Sequence, residues 1–222
     1  MLKIGHRGAG GEAPENTIKS FESAIKAGVN AIELDVRQTK DKKLVVMHDE
    51  KLDKLAGVKG RVGDFTLEQL KHMSIGGEKI PTLGEALDFI DRKVEKLLVE
   101  IKEPGTEKAI LDEIEKRKLK DKIIIVSFHE DALEKVRKLD KEVETGFIYA
   151  SYGDPIGTAK RIGANYLLPL YRFTHTKDVE RAHQNGFKVI VWTVNTKEEI
   201  EEYKKKGVDG IASDYPELLA GT

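Results

Sequence analysis

Short apolar, β-branched runs alternate with longer charged stretches along almost the whole chain. Runs of a few residues rich in Val, Ile and Leu read as strands. Stretches with apolar positions three and four apart read as amphipathic helices. The strand-like runs fall at Leu2–Gly5, Ala31–Val36, Lys96–Ile101, Lys122–Ser127, Glu144–Tyr149, Asn165–Leu170, Lys188–Val194 and Gly207–Ser213. Between them the pattern predicts helices at Glu15–Ala27, Leu83–Arg92, Thr106–Arg117, Asp131–Leu139, Pro155–Ile162, Thr176–Asn185 and Lys197–Lys206. Gly28, Gly163, Gly186 and Gly207 sit where helix C-terminal caps are expected, and Thr82, Thr106, Thr176 and Thr196 where N-caps are expected. Strict strand–helix alternation with short connections predicts a parallel sheet. Eight such units in 222 residues fit a single (β/α)₈ TIM-type barrel better than an open sheet.

One unit breaks the rhythm. Leu44–His48 reads as a further short strand after the second one, and a small insertion, about residues 49–81, follows it. Rich in Gly, Lys and Asp, the insertion is expected to hold a hairpin-like turn around Gly57–Gly63 and a short helix at Thr66–Met73. It reads equally as a surface loop and as a shaper of the substrate entrance. The eighth helix is stunted, Pro216–Ala220. No linker or second domain is visible, so residues 1–222 read as one domain.

Composition narrows the class. With 38 Lys+Arg against 39 Asp+Glu the formal charge is −1, and nothing there points to nucleic acid or an acidic membrane surface. The absence of cysteine excludes disulfides and thiol chemistry. No apolar run approaches the ~20 residues of a membrane-spanning helix. The first strand begins at Leu2 and leaves no room for a signal peptide, so a cytoplasmic protein is expected. Abundant Lys and Glu without Cys resembles the composition of proteins from hot environments.

The chemistry gathers at strand ends. Gly5-His6-Arg7-Gly8-Ala9-Gly10 closes the first strand. Glycines there let the backbone approach a ligand, and an arginine can grip a phosphate with two parallel hydrogen bonds. Glu33 and Asp35 are spaced i, i+2 in the second strand and share one face. His48 ends the extra strand, and Glu100 and Lys102 repeat the i, i+2 spacing in the third. In a parallel barrel these ends converge on one rim. The glycines form neither a dinucleotide-binding fingerprint nor a P-loop.

His6-Arg7-Gly8, Pro14-Glu15-Asn16-Thr17, Glu33-Leu34-Asp35-Val36 and His48-Asp49 occur in the order and at the spacing of the glycerophosphodiester phosphodiesterase family, which the chain resembles. Val99-Glu100-Ile101-Lys102, Ser127-Phe128, Val191-Trp192-Thr193-Val194-Asn195 and Ser213-Asp214-Tyr215-Pro216 extend the resemblance from residue 3 to about 217. It implies metal-dependent hydrolysis of a small glycerophosphodiester to sn-glycerol 3-phosphate and an alcohol. It also implies metal ligation by Glu33, Asp35 and Glu100. Oxygen-only ligands favour a hard divalent cation, Mg²⁺ or Ca²⁺. The alternative for the acids is a salt-bridge network with Arg7, Arg37 and Lys102.

Two histidines supply what a phosphodiester displacement needs, a group that takes a proton and one that gives it. His6 is assigned to the attacking oxygen and His48 to the leaving alcohol, with Arg7 and Lys102 on the phosphoryl oxygens. Trp192 reads equally as a core side chain and, by the resemblance, as a wall against the glycerol or alcohol moiety, and Phe128 and Tyr149 are candidates for the same wall. Asn16 is expected to hold the first loop and Asp214 to orient a histidine or lysine. His72, His129, His175 and His183 read as structural. A barrel that binds glycerophosphate-type ligands without catalysis is the competing class, and it would need no acid/base pair.

Overall fold

A computed structural model describes residues 1–53 and 57–220, so part of the insertion and the last two residues lie outside the described residues. The elements run β1 (Leu2–Gly5), α1 (Ile18–Lys26), β2 (Ala31–Gln38), β3 (Leu44–Val46), α2 (Leu67–Lys71), β4 (Ser74–Ile75), β5 (Glu78–Lys79), α3 (Leu83–Ile90), β6 (Lys96–Ile101) and α4 (Glu107–Arg117). They continue β7 (Ile123–Ser127), α5 (Glu130–Leu139), β8 (Glu144–Tyr149), α6 (Pro155–Ile162), β9 (Tyr166–Pro169), α7 (Thr176–Gln184), β10 (Lys188–Val191), α8 (Lys197–Lys205) and β11 (Gly210–Ser213). A short 3₁₀ turn, Pro216–Leu219, stands where the stunted eighth helix is expected.

Among the described residues β1, β2, β6, β7, β8, β9, β10 and β11 pair in parallel and in that order, and β11 returns to β1. The ring is a (β/α)₈ barrel, as the alternation predicts. β3 stays outside it, antiparallel to the end of β2 through Val36 and Val46.

Strand alternation sorts side chains into two layers. Ile32, Leu34 and Val36 of β2 and Val99 of β6 face outward into the apolar layer under the helices, with Phe21 of α1 and Leu87 of α3. Ile4, Leu98, Ile124, Ile148, Leu168 and Ile190 fill the barrel interior. Along β6 and into the residue after it the inward positions read Leu98, Glu100, Lys102, apolar at the base and charged at the mouth. The fold therefore fixes the depth of the site.

Boundaries differ where caps decide them. α1 starts at Ile18 rather than Glu15, because the Thr17 hydroxyl accepts from the Ser20 amide and Asn16 takes the left-handed conformation, φ +59°. Thr82 and Thr196 cap α3 and α8 as expected, but Thr106 makes no side-chain cap, and Thr176 lies inside α7 behind the capping residue His175.

The insertion packs on the β3 segment around a small core, in which Val45 and Met47 bury together with Leu52, Val62, Leu70 and Ile80 of the insertion. Truncating a fully buried leucine such as Leu70 to alanine costs about 2–5 kcal/mol at a site of this kind. In the region of the expected Gly57–Gly63 turn an antiparallel bridge joins Lys51 to Arg61 and Val62–Asp64 forms a 3₁₀ turn, residues 54–56 lying outside the described residues; the expected helix is the five-residue α2. The sequence reading missed the β4–β5 hairpin, which turns through Gly76 and Gly77 at φ +57° and +87°. Among the described residues no helix is long and apolar enough to cross a membrane.

Candidate active site

The β1–α1 connection is held open in a conformation most side chains avoid. Arg7 has φ +53° and Gly8 φ +83°. A Cβ at Gly8 would meet the Ser20 hydroxyl at 2.5 Å, so only glycine fits there. Arg7 is fixed from several sides. Its carbonyl accepts from Ser20 Oγ at 2.7 Å and from the Asn16 amide at 3.0 Å, and its own amide donates to Glu33 Oε2 at 2.9 Å. These bonds hold a costly backbone in place and bring His6 and Arg7 to the mouth.

Glu33, Asp35 and Glu100 converge as the i, i+2 spacing predicts. Each offers an oxygen, all within 4.8 Å of one another, and all three side chains are buried. Asp35 Oδ2 accepts from Asn16 Nδ2 at 2.7 Å, and Arg7 Nε and Lys102 Nζ each stand 3.4 Å from this carboxylate. Lys102 Nζ donates to Glu100 Oε1 at 2.7 Å. Arg7 Nη1 turns aside to Glu15 at 2.9 Å. Glu33 Oε1 and Asp35 Oδ1 stay buried without a hydrogen-bond partner.

Burial and the other two carboxylates push the Glu33 carboxyl well above the usual range. Burial and Asp35 raise Glu100 to about 7 against the pull of Lys102. Burial also acts to raise Asp35, but Lys102, Arg7, His48 and the Asn16 hydrogen bond outweigh it and hold the group low. Lys102 remains an ammonium. Burial acts to lower it, and Asp35 and Glu100 more than reverse that.

Each histidine is gripped through one ring nitrogen. His6 Nδ1 lies 2.7 Å from Asp214 Oδ1, and its Nε2 is 4.0 Å from Glu33 Oε2. His48 Nδ1 lies 2.8 Å from Asp49 Oδ1. An ionised carboxylate only accepts, so in both pairs Nδ1–H donates and Nε2 is left free. Asp214 is itself fixed. Asn195 Nδ2 donates to its Oδ2 at 2.7 Å, and its amide donates to Asn195 Oδ1 at 2.9 Å. Burial acts to raise the Asp214 carboxyl, but His6 and Asn195 hold it below its ordinary value. Burial lowers His48; Asp35 opposes this and Arg7 and Lys102 reinforce it.

These groups form one side of a cavity of about 170 Å³. His6, Arg7, Glu33, His48, Glu100 and Lys102 line that side, and Phe128, Ile148, Leu168, Ile190 and Trp192 line the other. Trp192 stands edge-on to Phe128 with ring centroids 5.5 Å apart and donates its indole N–H to the Leu168 carbonyl at 2.7 Å.

Some expectations change. Tyr149 does not line this cavity: Ile148 points inward, so its neighbour on β8 points outward and stacks on Phe147. Tyr149 lines a separate cavity of about 200 Å³ outside the barrel, with Asp178 and Arg181, which none of the expected catalytic residues reach. His129 is exposed at the start of α5. Arg37 does not join the carboxylates and pairs instead with Glu103 at 2.6 Å. The roles of Glu15 and Asn195 were missed, although both lie inside motifs already singled out.

A model of the family described as glycerophosphoryl diester phosphodiesterase matches residues 6–218. A relative from Caldanaerobacter subterraneus named glycerophosphodiester phosphodiesterase is 39% identical over 232 residues, covering 98% of this chain and 96% of the relative. The crystal structure of a glycerophosphodiester phosphodiesterase from Thermotoga maritima superposes with TM-score 0.86 at 30% identity, covering 99% of this chain and 97% of that one. An Oleispira antarctica phosphodiesterase, solved in complex with the product sn-glycerol-3-phosphate, superposes with TM-score 0.89 at 27% identity, covering 97% and 94%.

Proposed function

This chain belongs to the glycerophosphoryl diester phosphodiesterase family, a family of enzymes, and on that premise we propose how its residues divide the work. The substrate is a small glycerophosphodiester, and the products are sn-glycerol 3-phosphate and an alcohol. Glu33, Asp35 and Glu100 hold a divalent cation, Mg²⁺ or Ca²⁺. His6 and His48 move the protons, and Arg7, Lys102 and Trp192 contact the substrate.

The observation that carries the cation is the orphaned Glu33 Oε1 inside the carboxylate cluster, beside an Asp35 Oδ1 that makes no hydrogen bond and has only the Lys102 ammonium at 3.4 Å. A buried acceptor without a donor is costly. The alternative salt-bridge network leaves Glu33 Oε1 without a donor, because Arg37 is absent from it, Arg7 is shared with Glu15, and Lys102 is divided between Glu100 at 2.7 Å and Asp35 Oδ1 at 3.4 Å. Charge leads the same way. Burial and mutual repulsion hold the Glu33 and Glu100 carboxyls above their ordinary range, and a divalent cation lets all three acids ionise by taking the place of the protons they would otherwise keep. All the donors are carboxylate oxygens, which suits a hard ion. When bound, such an ion polarises the phosphoryl oxygens and offsets charge as it develops.

The remaining steps use the chain's own groups. The free Nε2 of His6 takes the proton of the attacking water, while Asp214, steadied by Asn195, orients the ring and stabilises its charged form. His48 gives a proton to the departing alcohol. Burial and the nearby cations make protonated His48 release its proton readily, and the bound phosphodiester, an anion beside the ring, favours protonation while substrate is present. Lys102 and the free end of the Arg7 guanidinium face the non-bridging oxygens.

The test is direct. The protein is stripped with EDTA, given a glycerophosphodiester with and without Mg²⁺ or Ca²⁺, and assayed for free glycerol 3-phosphate. Release only with the cation is expected. Full release after exhaustive chelation would remove the metal from the mechanism and leave the salt-bridge network.

A further inference from the structure

His48 sits at a seam. Just before it, the Met47 amide still donates to the Asp35 carbonyl at 2.9 Å, and just after it the chain leaves for the insertion, which packs around a core separate from the barrel interior. A histidine placed there needs a further tie to stand at a fixed distance from the phosphate. Arg37 supplies one. It lies two residues beyond Asp35 on the same face of β2 and is 9% exposed. Its Nε donates to the His48 carbonyl at 2.8 Å, and its Nη1 binds Glu103 Oε1 at 2.6 Å. Glu103 follows Lys102 in the connection from β6 to α4, and its own carbonyl accepts from the Thr106 hydroxyl at 3.0 Å.

We infer that Arg37 is a positioning residue that sets His48 against the carboxylate cluster, braced through Glu103 to the strand that carries Glu100 and Lys102. The inference rests on the assignment of His48 as proton donor. A buried guanidinium is costly unless paired and hydrogen-bonded, and here both demands are met by groups on two different segments. Lysine cannot replace it. The guanidinium fork presents two donors in fixed directions, one for the carbonyl and one for the carboxylate, whereas an ammonium on a flexible stem presents a point charge. Arg37 does not line the catalytic cavity, so its effect on turnover passes through His48.

The leaving group separates positioning from general loss of structure. An alkyl alcohol departs only with a proton, whereas nitrophenolate departs as a stable anion. Arg37→Ala, Arg37→Lys and Glu103→Gln are compared with the parent and with His48→Ala on glycerophosphoethanolamine and on the p-nitrophenyl ester of glycerol 3-phosphate. Misplacing a catalytic group by about 1 Å costs up to roughly 10²-fold. The Arg37 variants should therefore lose about 10–100-fold in kcat on the ethanolamine ester, with KM little changed and only a few-fold lost on the nitrophenyl ester. Glu103→Gln should show the same bias with a smaller deficit, and it keeps the test available if Arg37→Ala does not fold. Equal losses on both esters, or no loss in variants whose thermal unfolding matches the parent, overturn the inference while His48→Ala still shows the bias. If His48→Ala itself lacks the bias, the proton-donor assignment falls and this inference falls with it.

Discussion

The mouth of the barrel has two unlike arcs built by the same alternation of strand residues. On and just beyond the ends of β1, β2 and β6 the inward positions near the rim are His6, Glu33, Asp35, Glu100 and Lys102; on and just beyond the ends of β7 to β10 they are Phe128, Ile148, Leu168, Ile190 and Trp192. The boundary between the arcs is one strand wide, for Glu100 lies in register with Val126 on the neighbouring strand. The apolar arc dehydrates the charged one. In a medium of lower effective dielectric the three carboxylates repel more strongly and a cation or phosphate is held more strongly. That is why Glu33 and Glu100 are pushed upward while Asp35, which has most of the positive neighbours, is held down. The charged arc carries the chemistry, and the apolar arc makes its charges count.

The comparison breaks most severely when the charged arc loses a ligand. Glu33→Gln or Asp35→Asn should lower kcat/KM by ~10³-fold or more, the scale of several kcat-limiting kcal/mol from a metal ion. Thermal unfolding checks the cause independently of activity. Mg²⁺ or Ca²⁺ should raise the Tm of the parent by binding only the folded state, and should fail to do so in Glu33→Gln. A cation-induced rise that survives in the variant would place the ion elsewhere. The histidines come next. His6→Ala and His48→Ala should each lower kcat by roughly 10²–10⁴ with little change in unfolding. Asp214→Asn should weaken His6 in the same direction, because an amide no longer dictates which ring nitrogen carries the proton.

A pH experiment on chelated protein sharpens the contrast. Glu100 titrates near 7 in the folded protein against an ordinary value of 4.5. Between those two values the folded state binds the extra proton, so its stability falls as pH rises through that window. Urea midpoints of the chelated protein should decline as pH rises from about 4.5 to about 7, with Glu33, also raised, adding to the decline; added cation should flatten it, and Glu100→Gln should make it shallower. A profile that is flat without cation would mean that the apolar arc does not dehydrate the cluster.

The two arcs were unequally legible. The charged arc announces itself in the chain, since i, i+2 acids, a His-Arg-Gly at a strand end and a second histidine after another strand are rare enough together to be read as a site. The barrel was legible for a similar reason, because eight apolar runs alternate with charged helices. The apolar arc was not. Ile148, Leu168 and Ile190 look like any core residues, and only the parity of each strand decides which neighbour faces the cavity; one residue of parity is what moved Tyr149 outside. Polar braces between distant segments were hidden as well. Arg37–Glu103 spans a sequence separation of 66 and Asn195–Asp214 one of 19, and no local pattern marks either pairing. Inside the insertion the β4–β5 hairpin rests on two-residue strands too short to show alternation.

The smallest expected effect tests the apolar arc itself. Trp192→Leu keeps an apolar side chain at the position but removes the edge-to-face contact with Phe128 and the flat ring that closes the cavity. Aromatic contacts of this kind are worth about 0.5–1.5 kcal/mol beyond their area, which corresponds to roughly 2–12-fold in binding. The loss should fall on KM and on inhibition by glycerol 3-phosphate, with kcat nearly unchanged, because a wall contacts ground state and transition state alike. The variant also leaves the Leu168 carbonyl without its indole donor, so a Tm lower by a few degrees is expected and does not bear on the assignment. The deciding quantity is the split between the two kinetic constants. A fall in kcat comparable to that of the histidine variants, at unchanged KM, would show that Trp192 acts on the reacting groups, and the division of the mouth into a chemical arc and a binding arc would have to be redrawn at β10.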